Sequence, residues 1–313
     1  MRFFCAVIFS ALTFISLEKV AQSLLSNPII ASEQLTIVQA VILGMIQGLT
    51  EFIPISSTAH LKIIPIALGW GDPGLAFTAV IQLGSIVSVI WYFWNDLAKM
   101  TVGAYKSIIR SDYQSQDFKM AFSICLGTIP IVFLGLLIKV FIPDFDNSPL
   151  RSTLAIAIAS IVMALLLAVA ELVGSRKRKF EKLDIKDGIL MGVAQALALI
   201  PGVSRSGSTI TGGLFMGLER ATAARFSFLL GLPAITLAGL VELKTLSDEG
   251  FGGVGLVPTI TGVLSAIIFS YIAISWLIKY LQTQDTWLFI WYRLAFGVLI
   301  LIGNSGAIMF INT

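Results

Sequence analysis

The sequence predicts an all-α protein that crosses a membrane many times. Of its 313 residues, 57% are hydrophobic and only 12% charged, where a soluble chain carries about 25% charged residues. Its apolar runs are long and unbroken, unlike the ~10-residue alternations of a transmembrane β-barrel. Its polar and ionisable side chains, expensive at membrane depth, gather in two short stretches instead of spreading evenly. No basic face interleaved with stacking aromatics occurs, which argues against nucleic-acid binding. Cys5 and Cys125 lie in separate apolar runs without metal spacing and read as small core hydrophobes.

The elements follow in order. Met1-Arg2 precedes an apolar run to Leu17, then Glu18-Lys19 and Ala21-Gln22-Ser23. Residues 1–35 therefore read as a signal peptide or signal anchor, with cleavage and retention both open. Residues 36–313 form one membrane-embedded domain. Its apolar segments fall at about 36–50, 52–70, 74–95, 119–142, 152–173, 186–200, 206–217, 226–243, 254–278 and 287–310. Several exceed the ~20 residues a spanning helix needs. Segments 36–50, 186–200 and 206–217 are too short, and 52–70 begins with a polar cluster. Short, interrupted segments at matching positions point to re-entrant hairpins around a binding site.

Loop charges orient the chain. Arg176, Lys177, Arg178, Lys179, Lys182 and Lys186 form one basic loop, and Lys99, Lys106, Arg110 and Lys119 another. Both are assigned to the cytoplasm, and the loop 143–151, with Asp144 and Asp146 against Arg151, to the outside. Glu219, Arg220 and Arg225 read as interfacial anchors.

An internal repeat is visible. Gly44, Gln47, Leu49 and Ser56 recur as Gly192, Gln195, Leu197 and Ser204, all at one offset of 148 residues. The hairpin 36–70 enters from outside and 186–217 from the cytoplasm, each followed by two spans of opposite sense. This is an inverted-topology repeat, with halves at about 36–142 and 186–280 and two hairpin tips meeting near the midplane.

The first tip turns at Pro54, which forces the preceding residue out of helical geometry. Gln47 and Glu51 share one face of the helix before it. Ser56 and Ser57 start the helix after it, where free N–H groups favour an anion. Thr58 follows, and His60, the single histidine in the sequence, lies on the same side. This set could hold a metal or proton at Glu51, a phosphate at the serines and an acid or base at His60. Taken singly, the hydroxyls more often bond back to the backbone, and Gln47 could serve only as interhelical glue. The second tip reads Pro201-Gly202-Val203-Ser204-Arg205-Ser206-Gly207-Ser208-Thr209. A guanidinium with hydroxyls and close-approaching glycines is the composition of a phosphate clamp.

These stretches resemble the signature motifs of the bacterial undecaprenyl-diphosphatase family of the bacitracin-resistance type. Gln47-Gly-Leu-Thr-Glu51 matches its (Glu/Gln)-x-x-x-Glu motif, Pro54-Ile-Ser56-Ser57-Thr58-Ala-His60 its Pro-x-Ser-Ser-Thr-x-His segment, and Pro201 to Gly207 its Pro-Gly-x-Ser-Arg-Ser-Gly motif. The likeness covers about residues 36–310. Gln47 stands where many relatives carry glutamate, which removes one charge from any metal site. The resemblance implies hydrolysis of undecaprenyl diphosphate to undecaprenyl phosphate and inorganic phosphate, which recycles the lipid carrier of peptidoglycan synthesis and confers bacitracin resistance. It implies a multi-pass protein of the bacterial plasma (inner) membrane and a divalent cation, Mg²⁺ or Ca²⁺. It also implies roles: Glu51 with Gln47 for metal and diphosphate, Ser57 as nucleophile, His60 as acid or base and Arg205 as clamp. Ser56, Thr58, Ser204, Ser206, Gly207 and Thr209 then line the substrate site. The partner is a polyprenyl diphosphate lipid, and a homodimer is compatible with this reading. The rival class is a secondary transporter or flippase for an anionic lipid or small anion, since paired hairpins in inverted repeats also describe such proteins.

Overall fold

A computed structural model describes residues 35–142, 144–145, 147–248 and 254–304, so the signal-like segment lies, but for Leu35, outside the described residues. The described residues form eleven α-helices: α1 (Ile37–Glu51), α2 (Ser57–Ala67), α3 (Leu75–Tyr92), α4 (Trp94–Ile109), α5 (Gln116–Phe141), α6 (Thr153–Val173), α7 (Ile185–Ala196), α8 (Arg205–Phe215), α9 (Arg220–Asp248), α10 (Leu256–Thr283) and α11 (Trp287–Asn304). Six of them, α3, α5, α6, α9, α10 and α11, are long and apolar enough to cross a membrane. The protein is an all-α, multi-pass membrane protein.

The helix starts are chemically explicit. Thr36 accepts from Gln39 N while the Gln39 side chain returns to Thr36 N, a capping box that opens α1. Asp184 and Asp187 make the same reciprocal pair at the start of α7. Helices α1, α2, α7 and α8 have only 15, 11, 12 and 11 residues, at or below about 22 Å in length. They form two helix–turn–helix pairs, α1–α2 and α7–α8.

Packing follows one rule. α1 lies along α10 and α7 along α5; α3 meets both α9 and α10, and α9 meets both α3 and α5. Exchanging α1 with α7, α3 with α9 and α5 with α10 leaves these contacts unchanged. The closest approaches obey the same exchange: Gly44 rests on the Gly262 backbone, and Gly192 on the Gly127 backbone. A Cβ at either glycine would overlap a carbonyl oxygen of the facing helix. Gly192→Val is therefore expected to lower stability by at least about 1–3 kcal/mol through overpacking. A drop in thermal midpoint in detergent checks this; an unchanged midpoint would show that α5 and α7 do not need the glycine contact.

Three expectations are corrected. The basic stretch after α3 is not all loop: α4 begins one residue beyond α3 and packs against α5. It is amphipathic, with Ala104 and Ser107 buried and its charges outward. Cys125 is exposed on α5 instead of packed in the core. Arg220 and Arg225 are not simple anchors. Arg220 pairs with the buried Glu171, which also binds Arg176 at 2.7 Å and accepts from Thr286 at 2.8 Å. Arg225 bonds Asp96 at 2.6 Å and stacks over Phe180. In the basic loop, Arg178 meets the Asp187 carboxylate at 2.6 Å, which raises the guanidinium above its ordinary value. Part of that loop is thus a structural strap and not only a topogenic charge.

Candidate active site

The two turns meet. Ser56 and Ser204, 148 residues apart, are the N-caps of α2 and α8, and both sit at positive φ, 76° and 72°. For a serine this left-handed backbone costs roughly 1–3 kcal/mol, and such strain concentrates at functional sites. Each is held by its own cap: Ser56 Oγ accepts from Ala59 N at 3.3 Å, and Ser204 Oγ from Gly207 N at 3.1 Å. The tips are stitched by Ser206, whose Oγ lies 3.1 Å from the carbonyl of Glu51 and 3.2 Å from that of Ile53.

Glu51 is the hub. It ends α1 and is 7% exposed. Its Oε1 accepts from Arg205 Nη2 at 3.0 Å. Its Oε2 accepts from the Ser57 hydroxyl at 2.7 Å and from Gln47 Nε2 at 3.0 Å. Gln47 is steadied by Ser85, which in turn accepts from Ser270 at 2.8 Å. Arg205 crosses from the second tip, donates Nη1 to the Ser227 carbonyl at 2.9 Å and lies 5.9 Å from the Phe52 ring centroid. Gly231 leaves the room its guanidinium fills. Two buried polar atoms here have no hydrogen-bond partner among the described residues: the Arg205 Nε–H donor and the Gln47 Oε1 acceptor. The centre thus keeps one spare donor and one spare acceptor.

Residues 40–299 match the model of the family described as bacitracin resistance protein BacA. The chain belongs to that family. The undecaprenyl-diphosphatase of Trichodesmium erythraeum is 82% identical over 303 residues, 97% of each chain. That of a Nostoc species is 64% identical across 88% of this chain and 87% of its own, and that of a Synechocystis species 61% across 91% and 86%. Within this BacA-family chain, then, the polar centre is Gln47, Glu51, Ser57 and Arg205.

The other residues singled out in the sequence lie around that centre. His60 stands apart from it. Its Nδ1 faces the Ser56 carbonyl at 2.7 Å, which makes Nδ1 the proton-bearing nitrogen, and the Tyr292 hydroxyl donates to Nε2 at 2.7 Å. The ring stacks on Phe296 with centroids 4.3 Å apart. The physical reason is helical rotation: His60 is four residues beyond Ser56 and leans back over it, while Ser57 is turned away. Thr209 bonds the Arg205 carbonyl and Ser227 Oγ, at 2.8 and 2.6 Å. Ser204 and Ser206 lie 3.2 Å apart within the turn, Gly207 backs onto Arg293, and Thr58 faces a side cavity.

The residue that sequence reasoning missed is Arg293. It is 1% exposed on α11. Nη1 donates to the Pro54 carbonyl at 3.1 Å, Nη2 to Gly202 and Val203 at 2.8 and 3.0 Å, and Nε to Ser160 at 3.3 Å. One guanidinium thus holds both turns. The signal was present as an arginine inside the apolar run 287–310.

Proposed function

We propose that this protein hydrolyses undecaprenyl diphosphate to undecaprenyl phosphate and inorganic phosphate in the bacterial plasma membrane. The observation that carries the reading is the Ser57 hydroxyl on a buried carboxylate that is itself shared with Arg205. Phosphoryl transfer needs chiefly positioning and charge stabilisation. Ser57 Oγ attacks the distal phosphorus, and its proton passes to Glu51 Oε2. The bond from that phosphorus to the bridging oxygen breaks, and undecaprenyl phosphate leaves. Water then attacks the phosphoserine, giving inorganic phosphate and restoring the serine. Arg205 offers its spare Nε–H to the phosphoryl oxygens. His60 acts as a positioning residue: it holds the Ser56 carbonyl and with it the strained cap that aims Ser57.

Hard oxygen donors fit a divalent cation. Gln47 Oε1 and the Glu51 carboxylate would hold Mg²⁺ or Ca²⁺, which would neutralise diphosphate charge when bound. In the membrane the pairs α1–α2 and α7–α8 are re-entrant hairpins whose tips meet at mid-depth. The decisive assay is phosphate release from a polyprenyl diphosphate by purified protein in detergent. Release is expected, and a chelator should reduce it about 100-fold, the equivalent of about 2.7 kcal/mol of lost charge stabilisation. No release under either condition would refute hydrolysis and favour transport, which needs sealed vesicles.

A further inference from the structure

Helix α4 presents three faces. Ala104 and Ser107 are buried against the bundle. Trp94, Val102, Tyr105, Ile108 and Ile109 form a second face, each more than half exposed. Lys99, Lys106 and Arg110, spaced seven and four residues apart, form an exposed cationic edge beside it. Asp96, the sole carboxylate of α4, is committed to Arg225 at 2.6 Å. An apolar stripe with a cationic edge is the pattern of a helix that lies in a membrane surface.

The contacts of α4 set its direction. Near its start, Asp96 meets Arg225, which stacks over Phe180 in the basic loop. Near its end, Ser107 Oγ lies 2.6 Å from Ser115 Oγ, and the adjoining Gln116 donates to the Leu183 carbonyl at 2.9 Å. Phe180 opens and Leu183 caps the same three-residue 3₁₀ turn. A helix of 16 residues, about 24 Å long, is therefore tied near each end to one short loop. It runs across the end of the bundle and does not prolong α3 out of it. Its apolar face continues that of α3, which is long and apolar enough to cross a membrane. Val87, Ile90, Trp91 and Trp94 line an open groove of about 390 Å³ at the junction. Tryptophan and tyrosine on such a face suit the headgroup level of a bilayer.

We propose that α4 is a membrane-surface anchor that binds anionic phospholipid: its apolar face sits among the acyl chains of the bordering leaflet, and Lys99, Lys106 and Arg110 hold the lipid phosphates. Charge decides for lipid over a second copy of the chain. A two-fold pairing through this face would bring three cations from each copy together, and α4 has no uncommitted carboxylate to balance them. Anionic headgroups supply that balance. Lys177, Lys179 and Lys182, exposed on the adjoining loop, extend the positive field over the same surface, and each basic residue near an anionic leaflet adds to the attraction. Binding of this kind is independent of the reaction at Ser57.

The test reads Trp94 in vesicles of phosphatidylcholine in which part of the lipid is brominated phosphatidylglycerol or brominated phosphatidylcholine. Emission of the parent chain minus that of Trp94→Phe isolates this tryptophan. Both brominated lipids should quench it, the anionic one more strongly. Lys106→Gln should lower that preference by up to about fivefold, and Lys106→Arg should keep it. Replacing Lys99, Lys106 and Arg110 together by glutamine should remove the preference while quenching by the zwitterionic lipid persists. Thermal midpoints in detergent should match the parent, because the three side chains are exposed. Equal quenching by the two lipids in the parent would overturn headgroup binding. No quenching by either would overturn the placement of α4 in the membrane surface. A disulfide-linked dimer formed by Val102→Cys but not by the parent would assign the face to a second copy instead.

Discussion

Ser57→Ala is expected to reduce phosphate release by at least about three orders of magnitude while leaving the protein folded. The hydroxyl stands at the start of α2 and is bonded to a base, Glu51 Oε2, at 2.7 Å. Its removal deletes a single hydrogen bond, worth about 1 kcal/mol, and Glu51 keeps Gln47 and Arg205 as partners. Glu51→Gln should be equally inactive for a different reason and unstable as well. The amide cannot take the serine proton, and Arg205, with a side chain 9% exposed, is left as an uncompensated buried charge. That loss is about 3–5 kcal/mol. The two variants therefore separate chemistry from folding: both lose turnover, and the second loses several times more stability than the first. Rapid acid quench with labelled substrate should trap phosphoserine in the parent and none in Ser57→Ala. Near-normal turnover in Ser57→Ala would remove the covalent step and leave water as the attacking group.

Much of this arrangement is legible in the sequence. Pro54 and Pro201-Gly202 mark the two turns, and the helices resume at Ser57 and Arg205. The i, i+4 spacing of Gln47 and Glu51 appears as a direct hydrogen bond of 3.0 Å. The 148-residue offset reappears as two serines with matching left-handed backbones. What the spacing could not resolve was the direction of His60, because residues three and four apart on a helix share a side but not a target. Ser56 received the imidazole, and Ser57 was left to Glu51. Nor could local pattern join α11 to the tips. Arg293 lies more than 230 residues from Pro54 along the chain, with |i−j| of 239, and only tertiary packing brings the carbonyls to it. α4 reads as a charged loop in the sequence because its lysines occupy the outer face of an amphipathic helix whose buried face carries only the small Ala104 and Ser107.

Arg293 supports the other large expected effect. Its charge is buried, and among the described residues no carboxylate is ion-paired with it; backbone carbonyls from three parts of the chain surround it instead. The carbonyls of Pro54, Gly202 and Val203 belong to the two turns, outside any helical ladder, so they depend on this donor, whereas Ser160 lies within α6. Arg293→Met keeps the volume but leaves Pro54, Gly202 and Val203 without it. At about 1–3 kcal/mol per unsatisfied buried acceptor, the loss should reach at least about 3 kcal/mol. The functional loss should be of another kind from that of Ser57→Ala. The reacting groups remain, but Arg205 and Ser57 come from different tips, and a relative shift near 1 Å costs roughly 100-fold in rate. Arg293→Lys should not restore it. An ammonium is a single point charge, whereas the guanidinium fork sends Nη1 to one tip and Nη2 to the other. Thermal unfolding in detergent and steady-state phosphate release on both variants provide the check. A lysine variant with the parent's midpoint and kcat would show that the tips hold together without the fork, and would return their alignment to Ser206 and the Glu51–Arg205 pair alone.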